Sequence, residues 1–202
     1  MNRERLLERA FLLSAASVAI SGVAGGFAVA VGLASGRLSL LGFGFDAAID
    51  AVASVVLLWR FRIEARHPAR AERAERLAER VVGGVLIVLG LYLGMSTIQA
   101  LVGDSHPAAT PIGLAISLVS VILLPPLSVA KARVAASLGS RALRADSILT
   151  AVAAALALIS LAGFAATEWL GITWADAVGG LVIAVVLLRE GASAFRRQGL
   201  SE

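Results

Sequence analysis

Two aspartates stand inside an apolar run of membrane length. Residues 38 to 60 read LSLLGFGFDAAIDAVASVVLLWR, and the acids are Asp46 and Asp50. A spacing of four puts both on one face of a helix, about one turn apart. A charged Asp near the bilayer centre costs roughly 2.5 to 3.5 kcal/mol on insertion scales, so two on one face call for a partner. A divalent cation or a proton held between helices is such a partner, because oxygen ligands at helical spacing bind zinc, manganese or magnesium according to their number and geometry. The plainer alternative is a protonated or salt-bridged pair that only joins helices.

Other candidates are weaker. Asp146 stands near the start of a later apolar run, where an acid also favours the helix dipole and can pair with Arg141 or Arg144. Asp176 follows Trp174 and Ala175 at another run's start and reads most simply as an N-terminal acid. Glu168 and Glu190 sit at the ends of runs and read as solvated. His67 and His106 are lone loop histidines, more often solvated than ligating. With no cysteine in the chain, thiolate metal sites and disulfides are excluded, and any metal must take oxygen or imidazole.

The elements that must position these acids are membrane helices. Of 202 residues 58% are hydrophobic but only 5% aromatic, and the mean hydropathy is +0.87. Ala, Leu, Val and Gly supply the apolarity, a mix suited to closely packed membrane helices. Six spans are expected, at about 10–33, 38–60, 81–102, 112–130, 142–167 and 175–188. Residues 1–9 form a charged cap, 10–192 the six-span domain, and 193–202 a short tail. No cleavable signal peptide is evident. Seventeen of the 18 Lys and Arg residues fall on one side of this topology and only Arg37 on the other. By the positive-inside rule both termini are cytoplasmic. The net charge of +4 therefore reflects topology, not nucleic-acid binding.

Within this layout Gly22 and Gly26, and Gly90 and Gly94, have the spacing of helix contacts. Any homodimer is expected to meet at Gly90 and Gly94. Pro125 and Pro126 are expected to end or kink the fourth span. The Arg/Glu stretch between the second and third spans reads as a solvated helical extension touching lipid headgroups.

Taken together, these residues resemble the cation diffusion facilitators, proton-coupled exporters of zinc and related metals. Six spans with cytoplasmic ends and Asp-x-x-x-Asp in the second carry the likeness, with HPARAERAE (67–75), SRALRAD (140–146) and WADAVGGLVIA (174–184) in the family's order. The resemblance implies an all-α membrane protein of the bacterial inner membrane that exchanges a divalent cation for protons. Zinc is the implied cargo, with manganese as an alternative, and a homodimer the implied assembly. Asp46, Asp50 and Asp146 are the expected metal residues.

Two departures stand out. The family completes its site with His-x-x-x-Asp in the fifth span, where this chain has Leu149 and Ala153. Few residues follow the sixth span, as in the short, tail-less branch that includes vesicular zinc-efflux proteins of animals. Counting helical rise, Asp146 lies roughly 9 Å nearer the cytoplasm than Asp50. It is thus expected to act as an intake ligand or relay, with Thr150 nearer the depth of Asp50. The alternatives are a non-transporting relative, serving as a metal-sensing or assembly subunit, and an intramembrane aspartyl protease. The protease is disfavoured because its two acids must converge from different helices; no enzyme is expected.

Overall fold

A computed structural model describes residues 3–35, 38–102, 111–170 and 175–199. Six long helices carry almost all of them: α1 (Arg3–Ser35), α2 (Leu38–Arg66), α3 (Ala71–Val102), α4 (Pro111–Leu138), α5 (Arg141–Leu170) and α6 (Ala175–Gly199). A single 3-10 turn, Pro68–Arg70, joins α2 to α3. Among the described residues five helices, all but α2, are long and apolar enough to cross a membrane. The start of α1, the end of α2, the start of α3, the α4–α5 turn and the end of α6 gather at one end of the bundle, here called the charged end.

Helices pair as α1 with α2, α3 with α6 and α4 with α5. Lipid tails are as apolar as leucine, so close fit rather than water exclusion must hold such pairs together. The α3–α6 seam shows how. A Cβ added at Gly83 would lie 2.7 Å from Ala194, at Gly191 2.7 Å from Ile87, at Gly90 2.9 Å from Leu188, and at Gly180 2.8 Å from Thr97. The contact steps up α3 as it steps down α6, so the two run antiparallel, nearly backbone to backbone. This corrects the expectation for Gly90 and Gly94, which face Leu187, Leu188 and Ala184 of α6 within the same chain. Among the described residues, nothing lies within 4 Å of a Cβ added at Gly22 or Gly26.

The prolines do not end α4. The helix continues through Pro125 and Pro126 to Leu138, because the turns beyond them are anchored. Val134, Ala135 and Leu138 join a buried cluster with Leu6 and Ala10 of α1, Leu57 and Phe61 of α2, Ala78 of α3 and Ala142 and Leu143 of α5. The helix stops at Gly139, whose φ of 68° suits a residue without Cβ. The amide of Ser140 then returns to the Ala135 carbonyl at 3.1 Å.

The Arg/Glu stretch is not simply solvated. Arg60, Glu64, Glu75 and Glu79 are buried. Arg60 pairs with Glu64 at 2.7 Å and with Glu75 at 2.5 Å, Arg3 with Glu64 at 2.5 Å, and Arg141 with Glu79 at 3.0 Å. The other charged side chains of the stretch match the solvated reading: Arg62, Arg66, Arg70, Glu72, Arg73 and Arg80 are exposed, and Glu72 pairs with Arg76 at 2.7 Å on the outer face of α3. The extra charges close the bundle's charged end because helices converge there and leave no room for water around the carboxylates.

Candidate functional site

The site begins with Asp50, half-buried on α2. Ser21 of α1 donates its hydroxyl to Asp50 Oδ2. The α1–α2 pairing brings them together, since the buried face of α1 carries Ser14, Ser17 and Ser21 in succession. Asp50 opens into a cavity of about 360 Å³ to which all six helices contribute. Ser17, Ser117, Ser120, Thr150 and Ser160 add hydroxyls to its wall. Leu149 and Ala153 line the same cavity, so the fifth-span positions singled out from sequence do face Asp50. Leu149 is almost fully buried and also belongs to the core shared by α2, α3, α5 and α6.

One turn from Asp50 towards the charged end, α2 presents Ser54. Its hydroxyl lies 3.4 Å from Asp146 Oδ1 of α5. The other Asp146 oxygen lies 2.6 Å from Lys131 Nζ of α4, and both side chains are 0% exposed. Lys131 also donates to Thr150 Oγ1 at 3.0 Å, while Thr150 donates to the Asp146 carbonyl at 3.0 Å. Asp146 thus sits a layer below Asp50, as the rise count expects, and meets Ser54 rather than the Asp50 carboxylate. Its cation is Lys131, not Arg141 or Arg144. Asp50 is still near enough for its charge to be felt at Asp146.

The remaining candidates are dispersed or outside the described residues. Asp46, Glu168 and Asp176 lie on helices, but their side chains are outside the described residues, as is all of His106. His67 is exposed at the start of the 3-10 turn, where its carbonyl accepts the Arg70 amide at 2.9 Å. Among the described residues no group of three or more His, Asp or Glu side chains comes together. Among the described side chains, a cation beside Asp50 would meet that carboxylate and the cavity's hydroxyls.

Sequence reasoning missed Lys131, Ser21 and Ser54. Each had a signal. Lys131 is the one lysine among 17 arginines, and it stands in the helical continuation of an apolar run. Ser54 shares the face of Asp50 four residues on.

Residues 14–201 match the cation efflux transmembrane domain. This chain belongs to the cation efflux family. The cation efflux match covers all six helices apart from the first residues of α1. The chain is also similar to an uncharacterised transporter of Synechocystis sp., at 27% identity over 181 residues, with 82% of this chain and 57% of that protein covered. It thus spans little more than half the length of that relative. Within the cation efflux family, metal cation transport across a membrane is the shared activity, and this bundle's apolar helices suit it.

Proposed function

We propose that the chain exports a divalent metal cation from the cytoplasm, zinc first among the candidates, in exchange for protons. In this reading α2 crosses the membrane with the other five helices, the charged end faces the cytoplasm, and the protein works as a homodimer in a bacterial inner membrane. Asp50 is the central ligand, with Asp46 one turn away on the same helix. Asp146 belongs to the path between that site and the charged end. The observation that carries the reading is Asp50 in a hydroxyl-lined cavity shared by six helices of a cation efflux protein.

The chemistry follows from charge. Burial disfavours an ionised carboxylate and a nearby cation favours it. Protons and metal then compete for the same oxygens, and that competition couples their opposite movements. Access to a fixed site alternates when groups of helices rock about it. An oxygen-rich donor set discriminates zinc from manganese less than one containing imidazole. The decisive test loads the purified protein into liposomes and follows uptake of Zn2+ and Mn2+ under an imposed pH gradient. Uptake that needs both the gradient and Asp50 supports the reading, and none above protein-free vesicles refutes it.

One observation favours the second reading, a non-transporting relative that senses metal or assists assembly. Leu149 and Ala153 put apolar groups where a second pair of ligands would stand. In that case metal binds to Asp50 in detergent without crossing liposomes.

A further inference from the structure

The Lys131–Asp146 pair stands between the cavity and the charged end. Both side chains are 0% exposed, at a separation of 2.6 Å. An ion pair buried this deeply recovers its desolvation cost only in part, and apolar residues of similar volume usually hold helices as well or better. An ionisable pair inside a membrane span is expected to serve the transported species.

Its surroundings point to the cation path. Ser54 approaches Asp146 from α2, one turn or roughly 6 Å of rise from Asp50. The lysine's second acceptor, Thr150 Oγ1, lies 3.0 Å away and is itself part of the cavity wall with Asp50. The ammonium is therefore one hydrogen bond from the cavity, on a flexible four-carbon stem. It fills the place that a metal cation moving from the charged end towards Asp50 would need beside Asp146.

We propose that Lys131 is a tethered counter-ion that holds Asp146 while the site is empty and cedes it to an incoming divalent cation, setting the affinity and selectivity of that site. The inference rests on the transport reading above. With Lys131 in place the lower layer is electrically neutral, so a cation at Asp50 gains little from Asp146. A metal reaching Asp146 must first displace an ammonium. Lys131 acts through Asp146 and is a positioning residue, not a ligand.

The test is calorimetric titration of the purified full chain with Zn2+ and with Mn2+. In K131M the Asp146 carboxylate becomes free for metal. Both ions should bind at least tenfold more tightly, and Mn2+ should gain more than Zn2+, because the added donor is a hard oxygen. K131Q, which keeps a hydrogen-bonding side chain without the charge, should behave like K131M. In D146N the ammonium loses its carboxylate and repels cations from Asp50, so binding should weaken at least tenfold. K131M/D146N should bind at least fivefold more tightly than D146N.

A structural ion pair predicts otherwise: K131M and K131Q would lose thermal stability with no gain in affinity. Unchanged or weaker metal binding by folded K131M or K131Q overturns the proposal. Should neither fold, D146N decides it, because wild-type affinity in that variant is incompatible with a displaced, repelling ammonium. Failure of the transport reading looks different. Either the wild type binds neither ion and D50N matches it, or the wild type binds metal through Asp50 but carries none into liposomes.

Discussion

The carboxylate of Glu75, on α3, caps α5. It accepts the Ser140 hydroxyl at 3.0 and 3.1 Å and the Ala142 amide at 2.9 Å, while the Ser140 hydroxyl oxygen in turn accepts the Leu143 amide at 3.1 Å. A buried anion is thereby aimed at free amides of a helix start, where the dipole favours it. Two phrases 65 positions apart, HPARAERAE and SRALRAD, are thus two halves of one joint. Glu75→Gln should lower the stability of the detergent-solubilised protein by about 3 kcal/mol, the low end for breaking a buried pair, since Arg60 keeps Glu64 at 2.7 Å. Thermal unfolding followed by circular dichroism checks it. A melt like that of the wild type would mean the joint is dispensable.

Asp50→Ala should reduce Zn2+ uptake into proteoliposomes to the vesicle background while expression and insertion persist, because losing an intramembrane acid lowers the insertion cost. Ser21→Ala removes only the hydroxyl that donates to Asp50 and should cost roughly tenfold in apparent affinity, the smaller effect typical of a group that supports a ligand. Equal losses in the two variants would contradict this order.

Leu149→His with Ala153→Asp places an imidazole and a carboxylate on the wall that Asp50 shares. Zinc affinity should rise at least tenfold, about 1.4 kcal/mol, with a larger gain for zinc than for manganese. Leu149 is 3% exposed, so some stability will be lost with the leucine, and the melt should be measured beside the titration. An unchanged zinc affinity in a folded double variant would show that α5 does not turn this face to the metal.

The α3–α6 seam gives opposite signs at two glycines. At Gly94 an added methyl meets Ala184 at 3.7 Å, an ordinary contact, and Gly94→Ala should stabilise by up to about 1 kcal/mol through helix propensity. At Gly191 it would meet the Gly83 carbonyl oxygen at 2.8 Å, and Gly191→Ala should destabilise by about 1–3 kcal/mol through overpacking. Paired thermal melts test the difference, and equal shifts would refute the register.

Topology can be read by labelling. Single cysteines at Ala69 and Ala108, the latter outside the described residues, should react from opposite faces of the membrane, with position 69 cytoplasmic. The 32-residue α3 between them is about 48 Å long, more than a bilayer's hydrocarbon needs. Reaction of both from one face would rule out the six-span reading.

The helices were legible because apolar runs of bilayer length and the one-sided arginines both report on the membrane, an environment the sequence records residue by residue. The aspartates were legible for the same reason, since Asp50 is costly wherever its helix faces. What escaped was pairing between helices. Lys131 read as one more basic residue at a span's end because nothing local shows that α4 survives two prolines and carries it inside. Glu75 read as solvated because its partners lie 65 positions on, at a helix start that only tertiary packing brings near. Gly90 and Gly94 announced a close approach but could not name the helix approaching.

Leu57, Phe61 and Leu143, with the ion pairs beyond them, form a dry slab between the cavity and the charged end. Electrically that slab is an insulator. A bare divalent ion inside it would face a Born self-energy of tens of kcal/mol, so no file of ions threads the bundle at rest. In the transport reading, throughput is then bounded by helix rearrangement, on microsecond-to-millisecond times, and not by diffusion. The cavity carries Asp50 and several hydroxyls while the cluster around Leu57 and Phe61 carries none, so in the transport reading the larger share of the membrane voltage falls across that cluster. At roughly 2.3 kcal/mol per elementary charge per 100 mV, the transport reading makes the step that carries charge past Phe61 the voltage-sensitive one.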